Sequence, residues 1–189
     1  MRIRLATLAC VAALASGCLH DEAPWREVGG KYDSGNWFGP RISMVLPDDW
    51  MKLNRVEDGL VATRDGFNLQ SIKIRRVDPG KPLPHTKKTV AEGMRPHELA
   101  EVLLDDLRSD GSANGLKVLE TRPATIAGAP GFRTTVAFKD AFGLKVKVVL
   151  CGVMIEDHAW QIAYVAPARH YFEQDLGTFD GALASFRVR

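Results

Sequence analysis

Residues 144–155 read Leu-Lys-Val-Lys-Val-Val-Leu-Cys-Gly-Val-Met-Ile. Leu144, Val146, Val148 and Leu150 alternate along one face of an extended chain, the two-residue period of a strand. The opposite face changes character partway. It opens with Lys145 and Lys147 and continues with Val149, Cys151, Val153 and Ile155. A strand that is apolar on both faces needs cover on both, so a helix is expected on each side of its second half. The fold class that follows is α+β, an antiparallel β-sheet sandwiched by helices.

The flanking segments supply the other elements. Residues 132–138 form a partner strand across the turn at 139–143. Glu156-Asp157-His158 turns the chain into a strand at 160–165. A helix is expected over about residues 168–185, with Phe172, Leu176, Phe179 and Leu183 as its apolar stripe. Phe186-Arg187-Val188 closes the chain. Upstream, residues 41–46 place Ile42, Met44 and Leu46 on one face of a strand. Pro47-Asp48-Asp49 turns, and residues 50–53 continue. Glu57-Asp58-Gly59 and Arg64-Asp65-Gly66 are turn signals between apolar runs, which implies antiparallel hairpins with strands at 60–63 and 67–77. Three prolines make residues 78–84 a loop. Pro96 suits a first helical position. Leu99, Val102, Leu103 and Leu107 then recur at helical spacing. A strand at 116–121 follows, and residues 126–131 read as a tight connection.

The N-terminus decides the compartment. Met1-Arg2-Ile3-Arg4 is basic and residues 5–15 are apolar and uncharged. The charge-free stretch is shorter than the roughly 20 residues of a membrane span. Leu14-Ala15-Ser16-Gly17-Cys18 resembles the lipobox of bacterial lipoproteins. A plain secretory signal shares the basic start and the small residues; Cys18 directly after Ser16-Gly17 is what separates the two. The resemblance implies cleavage before Cys18 and lipid (palmitate) on its thiol. The membrane, reached through that lipid, is then a partner. One acyl chain binds marginally and a second makes anchoring firm. Leu19, rather than Asp, after the cysteine implies an outer-membrane lipoprotein facing the periplasm. The expected organisation is a signal peptide at 1–17, a lipidated tether at 18–38 carrying Trp25, Tyr32, Trp37 and Phe38, and one domain at 39–189.

The bulk numbers fit that organisation. The chain has 25 basic and 23 acidic residues, a net charge of +2. Arg2 and Arg4 leave with the signal, so the mature chain is balanced. No overall field favours nucleic acid, and no nucleic-acid partner is expected. Cys10 also leaves with the signal. Cys151 then stands alone in an apolar run and reads as a small buried hydrophobe rather than a nucleophile.

Reactive constellations are sparse. Five histidines are present, and His85, His97, His158 and His170 fall in loops or at helix starts without metal-ligand spacing. No zinc-protease, paired-cysteine, nucleophile-elbow or phosphate-loop motif occurs. Asp110-Gly111-Ser112-Ala113-Asn114-Gly115 resembles the start of a calcium loop. Its twelfth place is Thr121, however, with Glu120 one residue early, where a bidentate carboxylate is needed. It reads as an ordinary loop. Asp48-Asp49, Asp105-Asp106 and Glu156-Asp157 are adjacent pairs whose side chains diverge. Lys73, Arg75, Lys145 and Lys147 would make an anion-binding patch if their strands were neighbours; a solvated face is the simpler reading. No catalytic residue, metal or cofactor is expected.

With the elements placed, a resemblance emerges. Leu46-Pro47-Asp48-Asp49-Trp50, the helix through Glu98-Leu99-Ala100-Glu101, the hairpin of residues 131–155 and the ending from Ala166-Pro167 to Ala184-Ser185-Phe186 resemble the PsbP-like superfamily, especially bacterial DcrB-like lipoproteins. The resemblance covers residues 41–188 and implies an α/β/α arrangement. It also implies a role among assembly factors, adaptors and envelope lipoproteins, including chaperones for secreted effectors. It brings no shared catalytic site, and fold analogy is a weak warrant for function. The leading expectation is a non-enzymatic envelope lipoprotein that presents its domain to an envelope protein. The alternative is a lipid- or glycan-binding module with a cleft beside the sheet and Trp37 or Trp50 as contacts. A hydrolase is third, since no nucleophile–base pair can be named. A deep apolar pocket would favour the alternative, and a filled core with a flat apolar patch the first.

Overall fold

The computed structural model describes residues 24–35, 41–54, 56 and 59–189. The leader, Cys18, Trp37 and Phe38 lie outside them, as do two of the three residues of the turn expected at 57–59. The elements are β1 (Trp25–Glu27), β2 (Gly30–Asp33), β3 (Ile42–Leu46), β4 (Met51–Leu53), β5 (Gly59–Thr63), β6 (Ser71–Val77), α1 (Pro96–Ser109), β7 (Asn114–Ile126), β8 (Ala129–Lys139), β9 (Lys145–Ile155), β10 (His158–Pro167), α2 (Tyr171–Ser185) and β11 (Arg187–Val188). Among the described residues, eight strands form one sheet in the order β1-β4-β5-β6-β10-β9-β8-β7, and β11-β3-β2 form a second. Every pairing is antiparallel.

The strand read from residues 144–155 behaves as its pattern requires. On one face Val149, Cys151 and Val153 join a core with Ile42, Met44 and Leu46 of β3 and Phe172, Phe179 and Ala182 of α2. On the other, Val146, Val148 and Leu150 join a core with Leu99, Ala100, Leu103 and Leu104 of α1. Gly152 is the point of closest approach. A Cβ there would run into the Phe132 ring and lie 3.2 Å from Leu103 Cδ1. The bare backbone lets an aromatic ring cross a neighbouring strand and still leaves the helix its seat. α1 starts at Pro96, and Glu98 folds back to accept from the Arg95 backbone N–H at 2.9 Å, which closes its first turn.

Four expectations need correction. The strand expected at 67–77 begins only at Ser71. Gly66 has φ +126°, and its carbonyl accepts from the N–H groups of Leu69 and Gln70, so residues 67–70 turn. The strand expected at 116–121 runs on to Ile126, and the tight connection shrinks to Ala127 and Gly128, at φ +50° and +85°. Pro123 fits inside β7 because β7 is an edge strand, where an absent N–H leaves no ladder bond unmade. The last helix starts at Tyr171, after His170 at φ +71°. Its stripe also rotates: Phe172, Asp175, Phe179 and Ala182 are buried, while Leu176 and Leu183 pack at the margin. Finally, the folded unit starts before residue 39. Trp25 pairs with Leu53 and Tyr32 with Met44, so both aromatics dock on the domain as part of short strands.

Asp175 brings a charge into the first core. It is 1% exposed and accepts from Arg64 Nη1 at 2.9 Å and Gln70 Nε2 at 3.2 Å. Gln70 Nε2 also donates to Asp65 at 2.7 Å, and the Gln70 backbone carbonyl accepts from Thr63 Oγ1 at 2.6 Å. The network clamps the β5–β6 turn to α2, which a short polar loop could not achieve by apolar packing.

Candidate functional site

The residues singled out from sequence are not gathered together. Lys73 and Arg75 of β6 face the α1 side of the large sheet. Lys147 of β9 faces the α2 side, where it donates to Glu173 at 3.0 Å. Register is the reason: Lys73 pairs through Ala163 to Leu150, and Leu150 and Lys147 lie an odd number of residues apart. The four-cation patch therefore does not form. Cys151 is fully buried, and burial pushes its thiol up to about 12. We expect slow labelling of native protein by iodoacetamide at pH 8 and fast labelling after denaturation; equal rates would mean that β9 is not a covered strand. Asp110 accepts from the Ser112 N–H at 2.9 Å and its hydroxyl at 2.7 Å, an Asx turn that spends the carboxylate on its own loop. Trp50, proposed as a surface contact, is 1% exposed and belongs to the core.

The histidines are dispersed. His85 Nε2 stands 3.9 Å from Asp110 and His158 Nε2 3.7 Å from Asp78. His170 packs edge-on against Tyr171. No group of three or more His, Cys, Asp or Glu among the described residues is placed to hold a metal.

What the structure does build is a groove. α1 packs on β7, β8 and β9, which leaves β6 and β10 beside it on the same face. The opening encloses about 580 Å³. Its floor is Val146, Val148 and Leu150 of β9 with Ala163 and Val165 of β10; Leu107 and Phe138 form one wall. Phe142 and Leu144 stand at its mouth and are 96% and 47% exposed, while Phe67, 45% exposed, stands beside Lys73. At the other end the groove narrows into a polar extension lined by Lys73, Arg75, His85, Asp106, Asp110 and Gln161. Arg75 Nη2 donates to Gln161 Oε1 at 2.5 Å and lies 3.7 Å from Asp106. The His85 N–H donates to Asp106 at 2.8 Å. Lys73 Nζ sits 4.4 Å from the Phe67 ring centroid. Burial lowers the Lys73 ammonium from its usual range, opposed by Asp110. Arg75 is lowered by burial as well, against Asp106. Ser71, on the groove wall, has a buried hydroxyl without a hydrogen-bond partner.

A second recess, about 600 Å³, lies at the opposite end of α1. Pro96, His97 and Ala100 face Thr121, Arg122 and Pro123 across it. It runs beside β7, the edge of the large sheet. Val118 and Leu119 of that strand are exposed. Sequence reasoning named a cleft beside the sheet as an alternative but none of the residues that line either recess, although exposed Phe142 in a Gly-bearing hairpin signals the groove.

No family model matches the chain, and no curated protein matches it in sequence. Solved structures do match in shape. LpqN of Mycobacterium tuberculosis, described as involved in cell envelope biogenesis, aligns at TM-score 0.57 with 14% identity over 84% of this chain and 90% of its own. The Saccharomyces cerevisiae Ran-binding protein Mog1p aligns at 0.56 with 11% identity over 86% and 96%. The cyanobacterial PsbP of Synechocystis aligns at 0.54 with 9% identity over 86% and 94%. The chain spans about half (48%) of a longer Bacteroides thetaiotaomicron structure, at TM-score 0.49 and 14% identity over 85% of this chain. The fold is thus PsbP-like, a large antiparallel sheet with two helices, as the sequence resemblance implied.

Proposed function

We propose that this chain is an envelope lipoprotein, anchored through lipid on Cys18, whose PsbP-like domain docks an envelope protein and performs no catalysis. The observation that carries the docking reading is the β7 edge. It is 13 residues long, its outer side has no partner strand among the described residues, and it exposes Val118 and Leu119 beside an open recess. An exposed edge is a template for another strand. Register shifts near Lys117 and Glu120, together with Pro123, interrupt it, which disfavours indiscriminate self-pairing. The fold neighbours supply background support: one is a Ran-binding protein and one is involved in cell envelope biogenesis.

Two experiments test the two halves separately. A photocrosslinking residue at Leu119 in intact cells is expected to give one discrete adduct, and the same residue at Glu173 on α2 none. Equal adducts at both positions, or none at Leu119, would sink the docking reading. For the anchor, Cys18→Ser is expected to abolish incorporation of labelled palmitate and to leave the chain uncleaved or released from membranes. Continued incorporation would show that Cys18 is not the lipid site.

A further inference from the structure

We propose that the groove beside the C-terminal end of α1 binds one long-chain fatty acid, its carboxylate at Lys73 and its alkyl chain running over Val148 and Val146 toward Phe142. The site differs from the β7 recess and does not depend on the docking reading.

The floor offers a peptide backbone no partners. β6, β10 and β9 are interior strands paired on both sides, so their backbone offers nothing to an added chain. A peptide laid along Val146, Val148, Leu150, Ala163 and Val165 would bury its own N–H and C=O groups without partners, at a cost comparable to the hydrogen bonds lost. An alkyl chain carries no such groups.

Polarity along the groove is graded in one direction. The row Lys73–Ala163–Leu150 is followed by Ser71–Val165–Val148 and then by Pro167–Val146–Phe138. Donors stand at one end and apolar side chains at the other, which fits an amphiphile lying lengthwise. About 580 Å³ falls within the roughly 300–1,000 Å³ of small-ligand sites.

The polar end is also lined by Asp106 and Asp110, yet one of its cations is left without an ion-pair partner among the described residues. Lys73 is half-buried and forms no ion pair with a carboxylate of the described residues. Ser71 Oγ, with its residue 0% exposed, has no acceptor. A buried, unmade hydroxyl bond is costly, but Ser71 Oγ is closed to solvent, so the carboxylate is assigned to Lys73 alone. The two neighbouring acids limit the charge that fits. Asp106 is engaged by the His85 N–H and Arg75, and Asp110 by Ser112. A doubly charged phosphate would face both, whereas a single carboxylate meets Lys73 first. At the mouth, Phe142 and Leu144 project from a hairpin whose base carries Lys139 and Lys145, a place where an alkyl chain can enter from an apolar phase.

The test titrates dodecanoate calorimetrically into the released, detergent-free fraction of the whole chain carrying Cys18→Ser, so that its own acyl groups do not compete. The neutral glycerol monoester of dodecanoate and inorganic phosphate are titrated in parallel. One saturable site is expected for dodecanoate and none for phosphate. Lys73→Met should weaken dodecanoate by about tenfold or more, the range of a charge-assisted hydrogen bond, and leave the ester nearly unchanged. Val165→Trp fills the floor and should abolish both. Leu144→Asp, at an exposed position that spares the fold, should weaken both as well. Arg122→Ala, in the other recess, should change neither. The proposal fails if no saturable dodecanoate binding is seen or if phosphate alone binds. It also fails if Lys73→Met lowers both ligands equally, if Leu144→Asp binds like the parent, or if Arg122→Ala removes the site.

Discussion

Phe179→Ala is expected to cost about 3–5 kcal/mol, the range for truncating a buried aromatic. Phe179 is 0% exposed. Its ring stacks on Tyr164 at 5.5 Å and lies 5.6 Å from the Arg133 guanidinium carbon. Truncation leaves a cavity between α2 and the sheet that β10 cannot close, because Tyr164 is held by its hydroxyl donating to the Tyr171 carbonyl at 2.8 Å. A domain of this size has about 5–15 kcal/mol in total, so the melting temperature should fall steeply or the protein should fail to accumulate. Glu173→Ala is the control. It loses only an exposed pair with Lys147, worth at most about 1 kcal/mol. A Phe179→Ala protein that melts like the parent but loses a partner would make this stripe a recognition face, and the packed-layer description would have to be given up.

Asp175→Ala is expected to cost about 1–3 kcal/mol by stranding buried partners. The Gln70 amide keeps Asp65, and Arg64 keeps Asp65 and reaches solvent at 22% side-chain exposure. The loss should therefore stay below that of a fully enclosed ion pair. Asp175→Asn retains an acceptor and should lose about half as much. Urea denaturation checks the order. If Asp175→Ala and Asp175→Asn were both neutral, the clamp between the β5–β6 turn and α2 would contribute nothing.

Much of this architecture is legible in local pattern, and the exceptions share a cause. The run from Val146 to Val153 announces cover on both faces because each face carries its own apolar alternation. The 3.6-residue spacing of Leu99, Leu103 and Leu107 announces α1. Asp175 could not be read as buried, since a carboxylate on a helix is ordinarily solvated and its partners lie 105 and 111 residues away. β1 and β2, of three and four residues, are too short to show a period in a Gly-rich stretch. Whether Lys73 and Lys147 share a patch could not be read, because side-chain parity is local, while the face each occupies is set by register across three strands. The groove exists because α1 stops short of β6 and β10; that is a fact about placement, which no residue in the floor encodes.

The small sheet has a kinetic meaning. β3 is held on one side by β2 and on the other by β11, with Ile42 opposite Val188 and the Arg41 and Arg189 backbones bonded reciprocally at 2.8 Å. An early strand thus waits for the last residues before its ladder is complete. Closing so long a loop is a slow, late event. Until residues 187–188 join, the strand of Ile42, Met44 and Leu46 lacks one side of its ladder. During that interval an apolar strand with its β11 edge open is available to any neighbour. A chain lacking Arg187 and Val188 would keep that edge open and adhesive.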